Sequence, residues 1–266
     1  MYRAWMFVKR GFIHNTSYRV AFGLNFVNVL VGVVSFYYLS RLIESGNTTL
    51  LAQYGNNAAA FIVVGTTFNS FVSLALRSYS GSVSSEQSLG IIEHWWMART
   101  PLMLLVIFST FWEFLWPLLT SIVTFGMLAL AFQVSFNINL PTAIIVFFLT
   151  LTSTSGLGMM SAGVIMVSKQ GDPIGFLWGV LSGLLSGVYY PITVLPDWLQ
   201  VVSSALPTTY ALRALREAFI NGASLYDIRQ ELAILVAFTL VTVPLGLWAF
   251  QAGFNRARRE GSLAQY

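Results

Sequence analysis

GVYYPI (187–192), LPDWL (195–199) and LPTTYALR (206–213) are the three stretches that decide how this chain folds. An apolar segment begins at Pro173 and runs to Pro191. A proline inside a helix lacks the backbone N–H and clashes with the preceding turn, so the helix must break there. Two short amphipathic pieces follow, each with a proline at its start, where the first helical turn accepts it. These stretches therefore predict a broken helix followed by two short helices.

The second short piece, which begins at Pro207, has an amphipathic pattern. The residues predicted to share its apolar face are Leu212, Leu215 and Phe219. We expect Arg213, Arg216 and Glu217 to lie off that face, and Arg213 and Glu217 have the i, i+4 spacing of an ion pair. Such a piece is expected at an interface rather than across an apolar core.

The composition identifies a membrane protein. Of the 266 residues, 56% are hydrophobic and 9% are charged, whereas soluble domains carry about 25% charged residues. The chain has no cysteine, which excludes disulfides, thiolate metal sites and a cysteine nucleophile. His14 and His94 are too far apart in sequence to suggest a metal site. A broken backbone in a membrane is tolerated only where protein or water surrounds it.

Six apolar segments each approach the roughly 20 residues that cross a bilayer. They cover residues 20–40, 57–77, 102–133, 141–168, 173–194 and 230–252. Residues 1–17 predict a basic amphipathic helix on the membrane surface. An even number of spans places both termini on one side, and most lysines and arginines fall on that side. Both termini are therefore expected in the cytoplasm.

The three stretches quoted above, closing on Arg213, resemble the pattern of type-2 ATP-binding-cassette (ABC) exporter permeases, over nearly the whole chain. The resemblance implies one all-α permease domain, 1–266, with six transmembrane helices, an N-terminal elbow helix, a cytoplasmic coupling helix and re-entrant helices in 191–222. It implies that residues of the re-entrant segment form an outer gate. These residues are Tyr189, Tyr190, Pro191, Pro196, Trp198, Pro207, Tyr210 and Arg213.

The loop 78–100 contains an amphipathic pattern, with isoleucines and tryptophans along one face. A helix bordering the membrane explains this pattern without any partner. In the resembled family this loop holds the coupling helix that docks on the ATPase, and GIIE (90–93) followed by Thr100 and Pro101 is similar to its sequence pattern. The resemblance assigns coupling to Glu86, Gly90, Ile91, Ile92, Glu93, Trp95 and Trp96.

Small and polar residues recur at helical spacing on the first, second and fifth segments. Asn25, Asn28, Asn69 and Ser182 are candidates for a substrate path, and close helix packing is the alternative explanation. Gly156, Gly158 and Gly163 lie in the fourth segment and are interpreted as packing residues.

Glu113 is the only acidic residue well inside a predicted span. A carboxylate within a membrane indicates a functional role, such as proton relay. The third segment is long and contains Pro117, so Glu113 could equally lie at the level of the lipid headgroups. Both interpretations follow from the sequence.

The sequence lacks the Gly-x4-Gly-Lys-Ser/Thr phosphate loop, and both histidines are predicted outside the membrane, away from any intramembrane serine. We therefore predict no catalytic residue and no metal site in this chain, with ATP and magnesium bound by a separate ATPase. The resemblance implies two copies of that ATPase and a second permease copy in a homodimer, within the bacterial inner membrane. Lipid is an expected partner and nucleic acid is not.

The exported compound is expected to be hydrophobic or amphiphilic: a drug, a natural product, a lipid or a lipid-linked glycan. Two other functions are compatible with the sequence. One is a proton-coupled secondary transporter or channel that uses Glu113, and the other is a membrane scaffold without transport.

Overall fold

The computed structural model describes residues 19–44, 57–88, 102–168 and 171–259, and the regular elements in these ranges are all helical. The α-helices in these ranges are α1 (Arg19–Glu44), α2 (Ala58–Ser88), α3 (Leu102–Ala131), α4 (Leu140–Ser168), α5 (Pro173–Leu185), α6 (Asp197–Ser204), α7 (Pro207–Arg216) and α8 (Arg229–Arg259). A 3-10 turn, Ile192–Val194, precedes α6, and a π-helical turn, Glu217–Asn221, follows α7. The predicted all-α class is confirmed, while the predicted elbow helix lies outside the described residues.

Four helices in the described part of the chain are long and apolar enough to cross a membrane: Ala58–Ser84, Glu113–Ala131, Leu140–Ser168 and Arg229–Arg259. Two apolar stretches, Val27–Arg41 and Pro173–Leu185, are shorter. They coincide with the first and fifth predicted spans. The chain is therefore a multi-pass membrane protein, and the count of six spans stays a prediction.

Helix α2 extends further than its predicted span of 57–77, and the first eleven residues of the predicted loop 78–100 are helical. Tyr79 and Val83 explain the extension, because they pack against Met159 and Met166 of α4 and Phe250 of α8. This packing continues the helix where the sequence alone shows mostly serine and glycine. With 31 residues, α2 is about 46 Å long.

Helix α5 is shorter than its predicted span of 173–194, because it ends at Leu185 and not at Pro191. Gly187 has φ +80°, a left-handed conformation that glycine adopts without steric cost. The helix therefore ends two residues before this glycine, which itself lies four residues before the proline. Its 13 residues reach about 20 Å, less than the roughly 30 Å of bilayer hydrocarbon.

Helices α4 and α8 lie in direct backbone contact along their length. A Cβ atom on Gly246 or Gly253 would collide with the carbonyl oxygen of Gly156 or Gly163, respectively. Gly158 faces α2 instead, where a Cβ would lie 2.6 Å from the carbonyl oxygen of Ala75. The packing role predicted for the glycines of the fourth segment is confirmed.

Large apolar side chains cover the outer surfaces of several helices. Leu130 of α3, Phe176 of α5, and Leu240 and Trp248 of α8 are all at least two-thirds exposed. Isolated exposed apolar residues are normal on soluble proteins, whereas a surface of this kind on several long helices suits contact with lipid.

Candidate functional site

The break after α5 forms the centre of the candidate site. The chain leaves the helix at Ser186 and makes an irregular turn through Gly187 and Val188, both of which are buried. Tyr190 folds back on the helix, since its hydroxyl donates to the carbonyl oxygen of Leu184 at 2.6 Å. Carbonyl groups in such a turn have no helical N–H partner and need another donor.

Arg216, the last residue of α7, supplies those donors. Its guanidinium donates to the carbonyl oxygens of Gly187 at 2.8 Å and Val188 at 3.0 Å. It also donates to the carbonyl oxygen of Phe61 in α2 at 3.2 Å and lies 3.4 Å from the centroid of the Phe61 ring. Only 3% of Arg216 is exposed. Arg216 therefore joins α7, the turn after α5 and the start of α2.

Gly65 makes this junction possible. A Cβ atom at position 65 would collide with the carbonyl oxygen of Val188 and lie 2.7 Å from a guanidinium nitrogen of Arg216. The turn after α5 therefore lies directly against the backbone of α2.

A buried cluster of hydroxyl groups fixes α5, α6 and α7 to one another. The Ser186 and Thr208 hydroxyls are 2.5 Å apart, and Thr208 donates to the Ser182 hydroxyl at 3.3 Å. Ser203 of α6 donates to the carbonyl oxygen of Leu185, and Thr209 donates to the carbonyl oxygen of Ser203. All five hydroxyl residues are at most 2% exposed. Ser182, a candidate for the substrate path, thus takes part in packing.

Asp172 holds the other end of α5. Its carboxylate caps the helix by accepting from the N–H of Gly175 at 2.7 Å. It also accepts hydrogen bonds from the hydroxyls of Ser80 in α2 and Ser161 in α4. Asp172 therefore connects three helices at the end opposite to the Arg216 junction.

The predicted gate residues lie in the segment between α5 and α7 and in α7 itself, and they differ in exposure. Tyr189 and Trp198 are more than half exposed. Pro191 and Pro196 precede the 3-10 turn and α6, and Pro207 opens α7, as expected from their fixed φ. Tyr210 lies beside Arg213, whose guanidinium carbon is 6.0 Å from the ring centroid.

The predicted pair between Arg213 and Glu217 is wrong. Arg213 lies 4.0 Å from Glu231 of α8, and Glu217 accepts a hydrogen bond from Asn221 at 2.7 Å. Because α8 packs against α7, Glu231 lies within reach of Arg213. The spacing of residues within α7 alone could not indicate this contact.

The placement of Arg216 off the apolar face is also wrong, whereas the position of α7 at the membrane interface stays a prediction. Leu212, Leu215 and Arg216 are all buried. Positions 212 and 216 are four residues apart and lie on the same face of a helix. This spacing could have identified Arg216 as buried, and the pair Asp172-Pro173 could have identified the cap of α5.

The candidate path residues do not form one cluster in the described chain. Asn28 is exposed and lines a cavity of about 320 Å³ with Thr120 and Thr124 of α3. Asn69 of α2 lies near Gly183 of α5, where a Cβ would be 3.8 Å from its amide oxygen. The side chain of Asn25 lies outside the described residues.

The predicted coupling residues lie at or beyond the end of α2. Glu86 belongs to the helix, but its side chain is outside the described residues. The other six, which are Gly90, Ile91, Ile92, Glu93, Trp95 and Trp96, lie entirely outside them. Glu113 is exposed on α3, one helical turn before Pro117.

A second cavity, of about 330 Å³, is almost wholly apolar. Its walls come from α2, α3, α4 and α7, and include Phe68, Phe71, Phe125 and Phe147. The Ser121 hydroxyl on its wall donates to the carbonyl oxygen of Pro117 within its own helix. The lining suits hydrocarbon rather than a polar solute.

A family model described as ABC-2 family transporter protein matches residues 25–248, from α1 to α8. The linearmycin resistance permease protein LnrN of Bacillus subtilis (strain 168) is 35% identical over 133 residues, which are 49% of this chain and 34% of that protein. The uncharacterized protein YhgE of the same organism is 27% identical over 106 residues, which are 39% of this chain and 14% of that protein. The chain spans well under two thirds of both relatives.

Proposed function

Because this chain belongs to the ABC-2 family of transporter proteins, we propose that it is the membrane-spanning permease subunit of an ABC exporter. A separate ATPase binds ATP and magnesium and drives it. Two permease copies, each with one ATPase, enclose the path as a symmetric homodimer in the bacterial inner membrane, with both termini in the cytoplasm. The family match over residues 25–248 is the observation that carries this proposal.

The substrate is a hydrophobic or amphiphilic compound. The relative LnrN is named as a resistance permease, and the apolar cavity between α2, α3 and α4 supports a route suited to such compounds. A natural product with a long apolar part is the class that these two observations favour among drugs, natural products, lipids and lipid-linked glycans.

The mechanism begins at the loop after α2. Closure of the ATPases on ATP displaces the coupling segment around Glu86 and Glu93. The displacement tilts α1, α2 and α5 with the elbow helix, and the dimer opens outward beneath the segment between α5 and α7. Tyr189, Tyr190 and Trp198 of this segment close the outer end between cycles.

Co-purification tests the subunit assignment. The tagged chain is extracted from the membranes of its own host, and ATP hydrolysis is measured on the purified complex in lipid nanodiscs. We expect a stoichiometric ABC ATPase and vanadate-sensitive hydrolysis. A chain that purifies without any nucleotidase, while transporting solute in the same membranes, would contradict the proposal.

A further inference from the structure

We infer that Arg216 is a positioning residue that transmits movement of α2 to the gate segment, which we define as residues 186–206 between α5 and α7, so that the outer end responds to events at the cytoplasmic loop. The inference rests on the proposed function, because it concerns the same transport cycle. The geometry that carries it is the three-way junction of Arg216 with the carbonyl oxygens of Phe61, Gly187 and Val188.

Helix α2 connects the two ends of the molecule. Phe61 lies in its first turn, and Ser84 lies near its other end, close to the predicted coupling loop. These residues are 23 positions apart, which is about 35 Å along a continuous helix. A helix transmits displacement along its axis because its backbone hydrogen bonds resist stretching. Movement at Ser84 therefore reaches Phe61.

The guanidinium makes the connection from Phe61 to the gate. Both terminal nitrogens of the buried Arg216 guanidinium are hydrogen-bonded, and its planar fork presents donors in fixed directions. Here one guanidinium nitrogen, Nη2, donates both to Phe61 in α2 and to Val188 in the turn. The same nitrogen thus contacts the moving helix and the segment that closes the path.

Hydrogen bonds join the gate segment to α7, so that the segment moves together with the turn that Arg216 contacts. The hydroxyl cluster ties Ser186 to Thr208 and Ser203 to Leu185, so α6 and α7 are fixed to the turn that Arg216 holds. A displacement of Val188 therefore carries α6 with it.

Two single-cysteine reporters separate this role from a purely structural one. The chain has no cysteine, so Ser84→Cys and Val201→Cys each provide one labelling position, near the cytoplasmic end of α2 and on exposed α6. Spin-label spectra are recorded on the permease–ATPase complex, nucleotide-free and trapped with MgATP and vanadate. We expect both labels to respond in the otherwise unmodified protein.

Arg216→Lys is the test variant, because lysine keeps the charge but loses the fork. We expect the Ser84 label to keep its nucleotide response and the Val201 label to lose at least about half of it. Arg229→Lys, an exposed arginine at the start of α8, is the matched control and should change neither response. Gly65→Ala, which pushes the turn away from α2 without changing charge, serves if Arg216→Lys does not fold, with the same expected result.

Three outcomes overturn the inference. A full Val201 response in the variant shows that the gate moves without Arg216. Loss of both responses shows that Arg216 has a purely structural role. Absence of both responses in the unmodified complex contradicts the proposed function itself and removes the basis of the inference. This outcome is distinguishable from the other two because it is seen without any Arg216 variant.

Discussion

Asp172 shows how one side chain can organise the end of a helix. It accepts hydrogen bonds from a backbone N–H of its own helix and from two serine hydroxyls on neighbouring helices. Hydrogen bonds to a charged acceptor contribute about 1.5–3 kcal/mol where water is largely excluded. Asp172 is half-buried, so its contribution is expected toward the lower end of that range.

Replacement of Asp172 should therefore destabilise the protein. We expect Asp172→Ala to lower the free energy of unfolding by about 1–2 kcal/mol, because the cap of α5 and both interhelical bonds are lost. Thermal unfolding of the purified protein in detergent measures the change. Asp197→Ala is the control, since Asp197 is exposed at the start of α6. Equal melting temperatures for the two variants would show that the Asp172 bonds contribute nothing.

Substitution of the single residue Glu113 distinguishes ATP-driven transport from proton-coupled transport. In an ATP-driven permease its carboxylate has no proton to relay, so Glu113→Gln should leave the pH profile of transport unchanged. Transport into vesicles is measured between about pH 5 and pH 8, with Thr152→Ser on the exposed surface of α4 as a control. Loss of the pH dependence in Glu113→Gln alone would favour the proton-coupled alternative.

At the scale of elements, the pairing of α4 with α8 is the closest helix contact that the glycines identify. Gly156 of α4 faces Gly246 of α8, and Gly163 faces Gly253. The two glycines of each helix are seven residues apart. A repeat of seven keeps two helices in contact along their length. Lipid offers no hydrophobic gain on helix association, so close packing of small residues supplies the attraction.

A methyl group at this contact should separate the helices. Gly246→Ala places a Cβ against the Gly156 carbonyl oxygen, and we expect a loss of about 1–3 kcal/mol of stability. Gly126→Ala in α3 is the control, because no atom lies within 4 Å of its added Cβ and alanine favours helix over glycine. The melting temperatures of the two variants should move in opposite directions, and a fall of equal size in both would contradict the contact.

The sequence predicted the elements that local chemistry determines. Prolines marked the starts of α6 and α7 correctly, since their effect on φ does not depend on neighbours. The end of α5 was misplaced because the turn at Gly187 depends on donors from Arg216, 29 residues away in sequence. The bond from Arg216 to Phe61 joins residues 155 positions apart, and no local pattern could indicate it.

At the scale of the whole molecule, α2 connects the predicted cytoplasmic loop with the gate segment. It packs against α4 and α8 at one end and contacts Arg216 at the other. Asp172 and Arg216 both tie α5 to α2, at opposite ends of the short helix. Movement of α2 is therefore expected to carry α5 and its turn, as the proposed gate requires.

Charge reversal in the coupling segment tests the connection to the ATPase. We expect Glu93→Lys, and Glu86→Lys separately, to reduce transport per ATP hydrolysed by about tenfold, because a misplaced charge at a docking surface weakens the specific contact. Transport and hydrolysis are measured together in vesicles that contain both subunits. Glu260→Lys, outside the coupling segment, is the control, and an unchanged ratio in both coupling variants would exclude this segment as the docking site.

Transport measured in proteoliposomes made from the purified chain tests most directly whether an external ATPase drives it. Uptake of fluorescent amphiphiles into these proteoliposomes is compared for the chain with its ATPase and MgATP, without MgATP, without the ATPase, and without the ATPase but with an imposed proton gradient. The account predicts uptake only in the first case. Uptake by the chain alone under the proton gradient would contradict it.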